Sequence, residues 1–166
     1  METKVPYRAK LKNLDKWIYG YYAAKQSTTY CIKEDYENFP VETEHYIVKD
    51  SMTDWGLPNE FQLYRVSGDT VCRNTGCVDQ DNNSIFENDI VVKVLEDFAT
   101  NKNGDKLKCF TRTVKGVIKY KNGSFGVETE ENGDGQFLCF FEDTCKVIGN
   151  VFDNPELLEG LYEENL

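Results

Sequence analysis

Residues 117–128 read VIKYKNGSFGVE: Val117-Ile118-Lys119-Tyr120, the pair Asn122-Gly123 after Lys121, then Ser124-Phe125-Gly126-Val127-Glu128. Asn and Gly both tolerate positive φ, so this pair between two runs of β-favouring residues is the strongest hairpin signal in the chain. Downstream, Asn132-Gly133-Asp134-Gly135 marks another turn before a strand over Gln136–Phe141, and Cys145–Gly149 supplies a last strand. Upstream, Ile90–Leu95 reads as a buried strand, and Lys106–Val114 alternates until Gly116 interrupts it. Nearer the start, Val5–Lys12 and Trp17–Ala23 flank Asn13-Leu14-Asp15-Lys16 and predict a further hairpin. Thr28–Lys33, His45–Lys49, Phe61–Val66 and Thr70–Arg73 are short strand candidates bounded by turn residues. Only the C-terminus reads as helix, with Asn154 to cap it, or Asp153 and Glu156 as a capping box, Pro155 in its first turn, and Leu157, Leu158 and Leu161 as an apolar patch. Recurrent strands with short turns predict a mainly β protein. The form expected is a small, partly open barrel with an additional N-terminal β-hairpin portion and a short C-terminal helix.

The chain has 166 residues, 40% of them hydrophobic and 13% aromatic, which is enough apolar material to offset chain entropy and form a core. One domain over 1–166 suffices. A subdivision into an N-terminal β portion over 1–70, the barrel over 71–152 and a C-terminal helix and tail over 153–166 is the alternative, with Lys49–Glu60 or Asn74–Asn83 as the separating stretch. The longest apolar runs, such as Phe137–Phe141, are far too short for a bilayer span, and Glu2, Lys4, Arg8, Lys10 and Lys12 break any signal-peptide pattern. A cytoplasmic protein with no membrane partner is expected. The net charge of −10 makes general nucleic-acid binding unfavourable, because that affinity comes from basic residues displacing counterions. The charge is nevertheless uneven: residues 102–121 carry seven Lys or Arg against Asp105 alone, whereas 122–166 carry Lys146 against eleven acids.

Six cysteines without an export signal are best taken as reduced thiols. Cys72 and Cys77, with Cys139 and Cys145, lack the tight knuckles of a zinc site, and Cys72, Cys109 and Cys139 lie in apolar or alternating runs, where a thiol serves as a small core hydrophobe. Asp79, Asp81 and Asn83 match the first ligand positions of a calcium loop, yet Ser84 replaces its glycine and Ile90 its bidentate glutamate. No metal or other cofactor is therefore expected. His45, the single histidine, has no nucleophile motif beside it and reads as a half-exposed strand imidazole. Glu87 and Asp89 could be paired as acid and base, but positions i and i+2 share any strand face, so a structural role is preferred. No phosphate loop is present, and the chain is expected not to be an enzyme.

Thr75–Val91, TGCVDQDNNSIFENDIV, resembles a phrase of the YopX-like proteins of bacteriophages and prophages, in which a TG, an acidic turn and an I-F/Y-E-G-D-I-V run follow in order. Val147–Leu158, VIGNVFDNPELL, is similar to that family's C-terminal signature, and Trp17-Ile18-Tyr19-Gly20 to its N-terminal aromatic hairpin. Gly116–Tyr120 and Gly123-Ser124-Phe125 also fit its pattern. Two family glycines appear here as Asn82 and Asn88, the non-glycine type that best tolerates the left-handed region, so both are expected at positive φ. The resemblance implies a compact fold with an SH3-type barrel and an origin in a mobile element, and it brings no catalytic residue. Asp79, Asn82, Glu87, Asn88, Asp89, Gly149, Asn150 and Pro155 then form a structural set of turn and strand-entry residues.

The function expected is that of a phage or prophage accessory protein: a non-enzymatic protein-interaction module contacting a host or phage protein. Trp17, Tyr19, Tyr21 and Trp55 are the candidate contact residues. Trp17, Tyr19 and Tyr21 share one strand face and Ile18 and Tyr22 the other, so one set belongs inside. Homo-oligomerisation is also expected, since unpaired strand edges need cover. Three alternatives stand beside this reading: an acidic decoy for a nucleic-acid-binding protein, built on Glu128, Glu130, Glu131, Asp134, Glu159, Glu163 and Glu164; nucleic-acid binding through 106–121; and an uncharacterised enzyme.

Overall fold

A computed structural model describes residues 5–100, 106–129, 136–139 and 145–159. The chain falls into two compact units that divide between Asn74 and Thr75. The first holds β1 (Tyr7–Lys10), β2 (Trp17–Gln26), α1 (Lys33–Asn38), β3 (Thr43–Ser51) and β4 (Glu60–Val66). A 3₁₀ turn over Gly68–Thr70 leads into β5 (Cys72–Val78), which carries the chain across the division. The second unit continues with β6 (Ser84–Phe86), β7 (Asp89–Thr100), β8 (Lys106–Lys121), β9 (Ser124–Thr129), β10 (Gln136–Cys139), β11 (Cys145–Asn150) and α2 (Glu156–Glu159). All registered pairings are antiparallel.

In the first unit the strands run β4-β3-β2-β1, with the first residues of β5 beside β1. Period-two alternation along β2 sends Ile18, Gly20 and Tyr22 to the face shared with Tyr7, Ala9, Ile47 and Val66, which is the core. Ala9 and Ile47 are wholly buried. The sheet curls until the end of β4 meets the end of β1: Leu11 bridges Val66, Lys12 N–H donates to the Arg65 carbonyl (3.1 Å), and Ser67 N–H donates to the Lys10 carbonyl (2.9 Å). The bridge is isolated, so the barrel stays open over most of β4.

In the second unit a five-stranded sheet runs β10-β9-β8-β7-β11, and β6 lies beside β5. Ile85, Val91, Ile118, Val127 and Cys145 are its buried core, with Cys77, Phe125 and Val147 packed against them. Each fully buried aliphatic side chain contributes about 1.5–3 kcal/mol relative to exposure. The Asn122-Gly123 turn closes the β8–β9 hairpin with φ of 52° and 84°, as the dipeptide requires.

The mainly β class, sheets that are not closed and the short C-terminal helix agree with the sequence reading; the sequence places the barrel over 71–152, whereas the curled sheet lies in the first unit. Several local expectations are corrected. Thr28–Lys33 is not a strand, because the Tyr36 hydroxyl accepts the Tyr30 N–H (2.9 Å) and donates to its carbonyl (3.3 Å), so a side chain occupies the groups a neighbouring strand would use. The C-terminus is accordingly not the only helix, since α1 follows with Glu34 and Asp35 in its first turn, where carboxylates complement the helix dipole. Gly116 does not interrupt a strand: β8 passes straight through it, and a Cβ there would sit 2.5 Å from the Glu128 carbonyl oxygen and from Val127 Cγ1. Its role is close packing of β8 on β9. At α2, Asn154 supplies its carbonyl to Leu157 N–H, while its side-chain oxygen turns back to Asn150 N–H. The Asp153 carboxylate takes the Asn150 amide instead of capping the helix.

Gly20 lets β2 approach β3 closely. A Cβ there would run into the Val48 carbonyl oxygen and lie 2.7 Å from Ile47 Cγ2, so backbone would have to move. Gly20→Ala is expected to destabilise the protein by about 1–3 kcal/mol, read as a lowered urea midpoint at unchanged slope. An unchanged midpoint would show that the sheet has slack at this point.

Candidate interaction surface

Exposed large apolar side chains gather in one stretch of sequence. Met52, Trp55, Leu57, Phe61 and Leu63 all fall within residues 52–63, the turn between β3 and β4 and the first half of β4. Lys49–Glu60 is therefore the end of a hairpin inside the first unit, not a separator of units. Its polar residues organise it: Thr53 Oγ1 donates to the Pro58 carbonyl (3.0 Å), Asp54 Oδ1 accepts Trp55 N–H (2.7 Å), Leu57 N–H donates to the Asp54 carbonyl (3.2 Å), and Asn59 reaches Asp50 (3.1 Å). Gly56 takes the positive φ, 77°, that the turn needs. With the polar groups turned inward on the loop's own backbone, the indole of Trp55 is left 93% exposed at the tip.

The solvent face of the sheet continues this surface. Register places Tyr21 beside Val48 and Val48 beside Leu63, an apolar row across β2, β3 and β4. Tyr19 and Tyr21 are exposed on that face. Trp17 shares it but is half-buried, with the Arg8 guanidinium 4.7 Å and the Lys10 ammonium 5.6 Å from its ring centre. Of the four aromatics expected to contact a partner, Tyr19, Tyr21 and Trp55 are exposed and Trp17 is half-buried. Met52, Leu57, Phe61 and Leu63 were not singled out from sequence; alternation in β4 is visible there, but not which phase faces water.

His45 lies in a cleft of about 300 Å³ lined by Lys12, Glu42, Glu44, Arg65, Ser67 and Gly68, among others. The Glu44 carboxylate accepts from the Tyr46 hydroxyl (2.9 Å) and pairs with Lys25 (3.2 Å) and Arg65 (3.0 Å). The Tyr46 hydrogen bond, followed by the Lys25 ammonium, holds its carboxyl below the usual range. Lys12 pairs with Glu42 (3.2 Å). Lys12, Arg65, Glu42 and Glu44 of the cleft lining are thus ion-paired with one another, and Asp69 also lines the cleft. His45 Nδ1 is 2.7 Å from the Tyr22 hydroxyl, its ring stacks on Tyr22, and its far edge packs against Gly68. Among the described residues no serine, threonine or cysteine hydrogen-bonds this imidazole, and no cluster of His, Cys, Asp or Glu is arranged to hold a metal.

The motif residues of the second unit do architectural work. Asp79 is buried: Oδ1 accepts the N–H groups of Asp81 (2.9 Å) and Asn83 (2.8 Å), and Oδ2 accepts from Val147 N–H (3.1 Å) and the Asn83 amide (3.3 Å). Asn82 and Asn88 take φ of 63° and 66°, the left-handed geometry expected where glycine is replaced by asparagine. Asn88 N–H donates to the Ile118 carbonyl (2.8 Å), and its own carbonyl accepts Val151 N–H (3.1 Å). Asp89, 1% exposed, accepts Phe86 N–H (2.8 Å) at the entry to β7, with half-buried Glu87 in the same turn. Asn150 Oδ1 accepts Phe152 and Asp153 N–H (both 3.0 Å), Gly149 leaves room for the Asn154 side chain, and Pro155 precedes α2. Of the acidic-decoy residues, Glu128 pairs with Lys121; Glu130, Glu131, Asp134, Glu163 and Glu164 lie outside the described residues, as does the Glu159 side chain. The side chains of 106–112 in the basic segment lie outside them too.

Burial alone would raise the Asp79 pKa, but the hydrogen bonds donated by Asn83, Val147 and Asp81 outweigh it and the net direction is down. A depressed carboxyl stabilises the fold fully above its unfolded value of about 3.9, and that contribution is lost as pH falls through the lower folded value. Asp79→Asn is expected to cost about 1–3 kcal/mol near neutrality and to show a shallower loss of urea midpoint than the parent between about pH 5 and pH 3. Parallel losses would mean that Asp79 does not supply this acid sensitivity.

A family model described as YopX protein matches residues 6–159, from the first strand to the last described helix. No curated protein matches the chain. The match covers the aromatic hairpin, the Asp79 turn and the Asn150 turn alike, and the chain belongs to the YopX protein family.

Proposed function

We propose that this chain is a phage or prophage accessory protein that works in the host cytoplasm by protein contact and catalyses no reaction. The observation that carries the reading is the exposed apolar end of the β3–β4 hairpin, with Trp55 at its tip. A soluble monomer seldom shows such side chains together unless they are covered in use. Tryptophan is the residue type most enriched among those that dominate binding energy. The ion pairs Lys12–Glu42 and Arg65–Glu44 in the His45 cleft and the hydrogen-bonded, buried carboxylates of Asp79 and Asp89 support the non-enzymatic part. The protein partner is best sought among host or phage proteins with an apolar pocket.

The test is capture from lysates of infected and uninfected host cells on the tagged full-length chain, comparing the parent with Trp55→Ala and Leu57→Ser. Both side chains are exposed, so the variants should fold, which circular dichroism would verify. A partner retained by the parent should bind Trp55→Ala roughly 30-fold more weakly, the effect of removing an anchor worth about 2 kcal/mol. Equal retention by parent and variants would remove the hairpin from the interface.

A further inference from the structure

The outer edge of β4 is divided in two by the bridge that curls the first sheet. Residues whose N–H and C=O point away from β3 alternate along the strand, and Arg65 is one of them, because its carbonyl accepts from Lys12 on the side opposite β3. Ser67, two residues on, donates to Lys10 in the same sense. Phe61 and Leu63 have the same phase. Their outward N–H and C=O groups have no partner among the described residues, and their side chains, 72% and 62% exposed, stand on the solvent face. An open, apolar strand edge is a template for another strand.

We infer that this edge pairs with the same edge of a second copy of the chain, β4 against β4 in antiparallel register about a two-fold axis at Gln62. Three features select a second copy as occupant. The first is register. A dyad at Gln62 sets Phe61 opposite Leu63 and Leu63 opposite Phe61, so both open positions become hydrogen-bonded pairs and four new backbone hydrogen bonds form. A dyad at Leu63 would require Arg65, whose carbonyl is already used, and a dyad at Phe61 would require Asn59, outside the strand; about Gln62 only residues 60–64 pair, because Lys12 already occupies the place opposite Arg65. The second is charge: Gln62 faces Gln62 and Glu60 faces Tyr64, so no like charges oppose one another. The third is exposure: Phe61 and Leu63 are exposed apolar side chains at the paired positions, with Met52, Trp55 and Leu57 close in sequence. A short strand edge is smaller than the ~800 Å² per partner of a standard interface, so the pairing is concentration-dependent. An isologous contact of this kind is closed and does not propagate into fibres.

The inference deepens the reading of this region as an interface by naming one partner, and it is tested separately from capture. Sedimentation velocity of the full-length chain, from low micromolar to near-millimolar concentration, should show the mass rising from 19.2 kDa toward twice that value. The double variant Phe61→Lys with Leu63→Lys should remain at 19.2 kDa, and its exposed positions leave the fold intact. Register is read by Gln62→Cys: the dyad brings the two residues 62 together as a non-hydrogen-bonded pair, with Cα atoms about 4.5 Å apart. Mild oxidation with glutathione disulfide should then yield several-fold more covalent dimer than the parent, whose exposed Cys31 sets the background. A parent that stays at 19.2 kDa throughout, or a double variant that dimerises as the parent does, would overturn the pairing, and a Gln62→Cys yield no greater than the parent's would overturn the register. Trp55-dependent capture by a monomeric chain would refute the self-pairing while leaving the proposed function standing.

Discussion

The isolated bridge between Leu11 and Val66 is the contact on which the first unit turns. Two backbone hydrogen bonds flank it, and together they bring the last residues of β4 to the end of β1. That closure places Val66 against Ala9 and Ile47 and gives the curled sheet an interior. It also uses up the outward groups of β4 from Arg65 onward and leaves those of Phe61 and Leu63 open. A longer ladder would have sealed the barrel and removed the edge; with no bridge, the sheet would lie flatter and expose its core face. The interaction surface is thus a consequence of where closure stops.

The second unit meets its corresponding difficulty, tight turns beside a packed sheet, with asparagine and aspartate. Asp79 gathers N–H groups from its own turn and from Val147 on a distant strand, and Asp89 does the same for Phe86. Buried carboxylates are costly unless donors satisfy them, and here the donors are backbone N–H groups, joined at Asp79 by the Asn83 side-chain amide. Asn82 and Asn88 allow the left-handed backbone that brings those donors into range. The motif residues Asp79, Asn82, Asn88 and Asp89 are engaged in this way in the turns of the second unit.

The strand and turn pattern was largely legible because it rests on local preferences. Asn122-Gly123, the hairpin around Asn13–Lys16 and the strand entered at Asp89 each announce themselves within a dozen residues. Failures came where a long-range contact prevailed. Thr28–Lys33 has strand-like composition, yet Tyr36 satisfies the Tyr30 backbone and no sheet partner arrives. Gly116 looks like a break, yet the close approach of β9 makes glycine the residue that lets β8 continue. The polar run Lys49–Glu60 resembles a linker until its hydrogen bonds show that its polar side chains serve the loop and its apolar ones face water.

Alternation along β2 established from residues alone that this strand has two unlike faces, and the family resemblance, with asparagine at its glycine positions, indicated where the backbone turns left-handed. Those properties arise within a few residues and need no knowledge of neighbours. Which face of β2 is covered, which strand lies at the edge, and which of its backbone groups remain open depend on Leu11 meeting Val66 far along the chain. Pairing between distant strands is settled by the burial of the whole core and not by any one segment's preference, so the fold alone assigned Tyr19, Tyr21, Phe61 and Leu63 to water and Tyr22 to the interior.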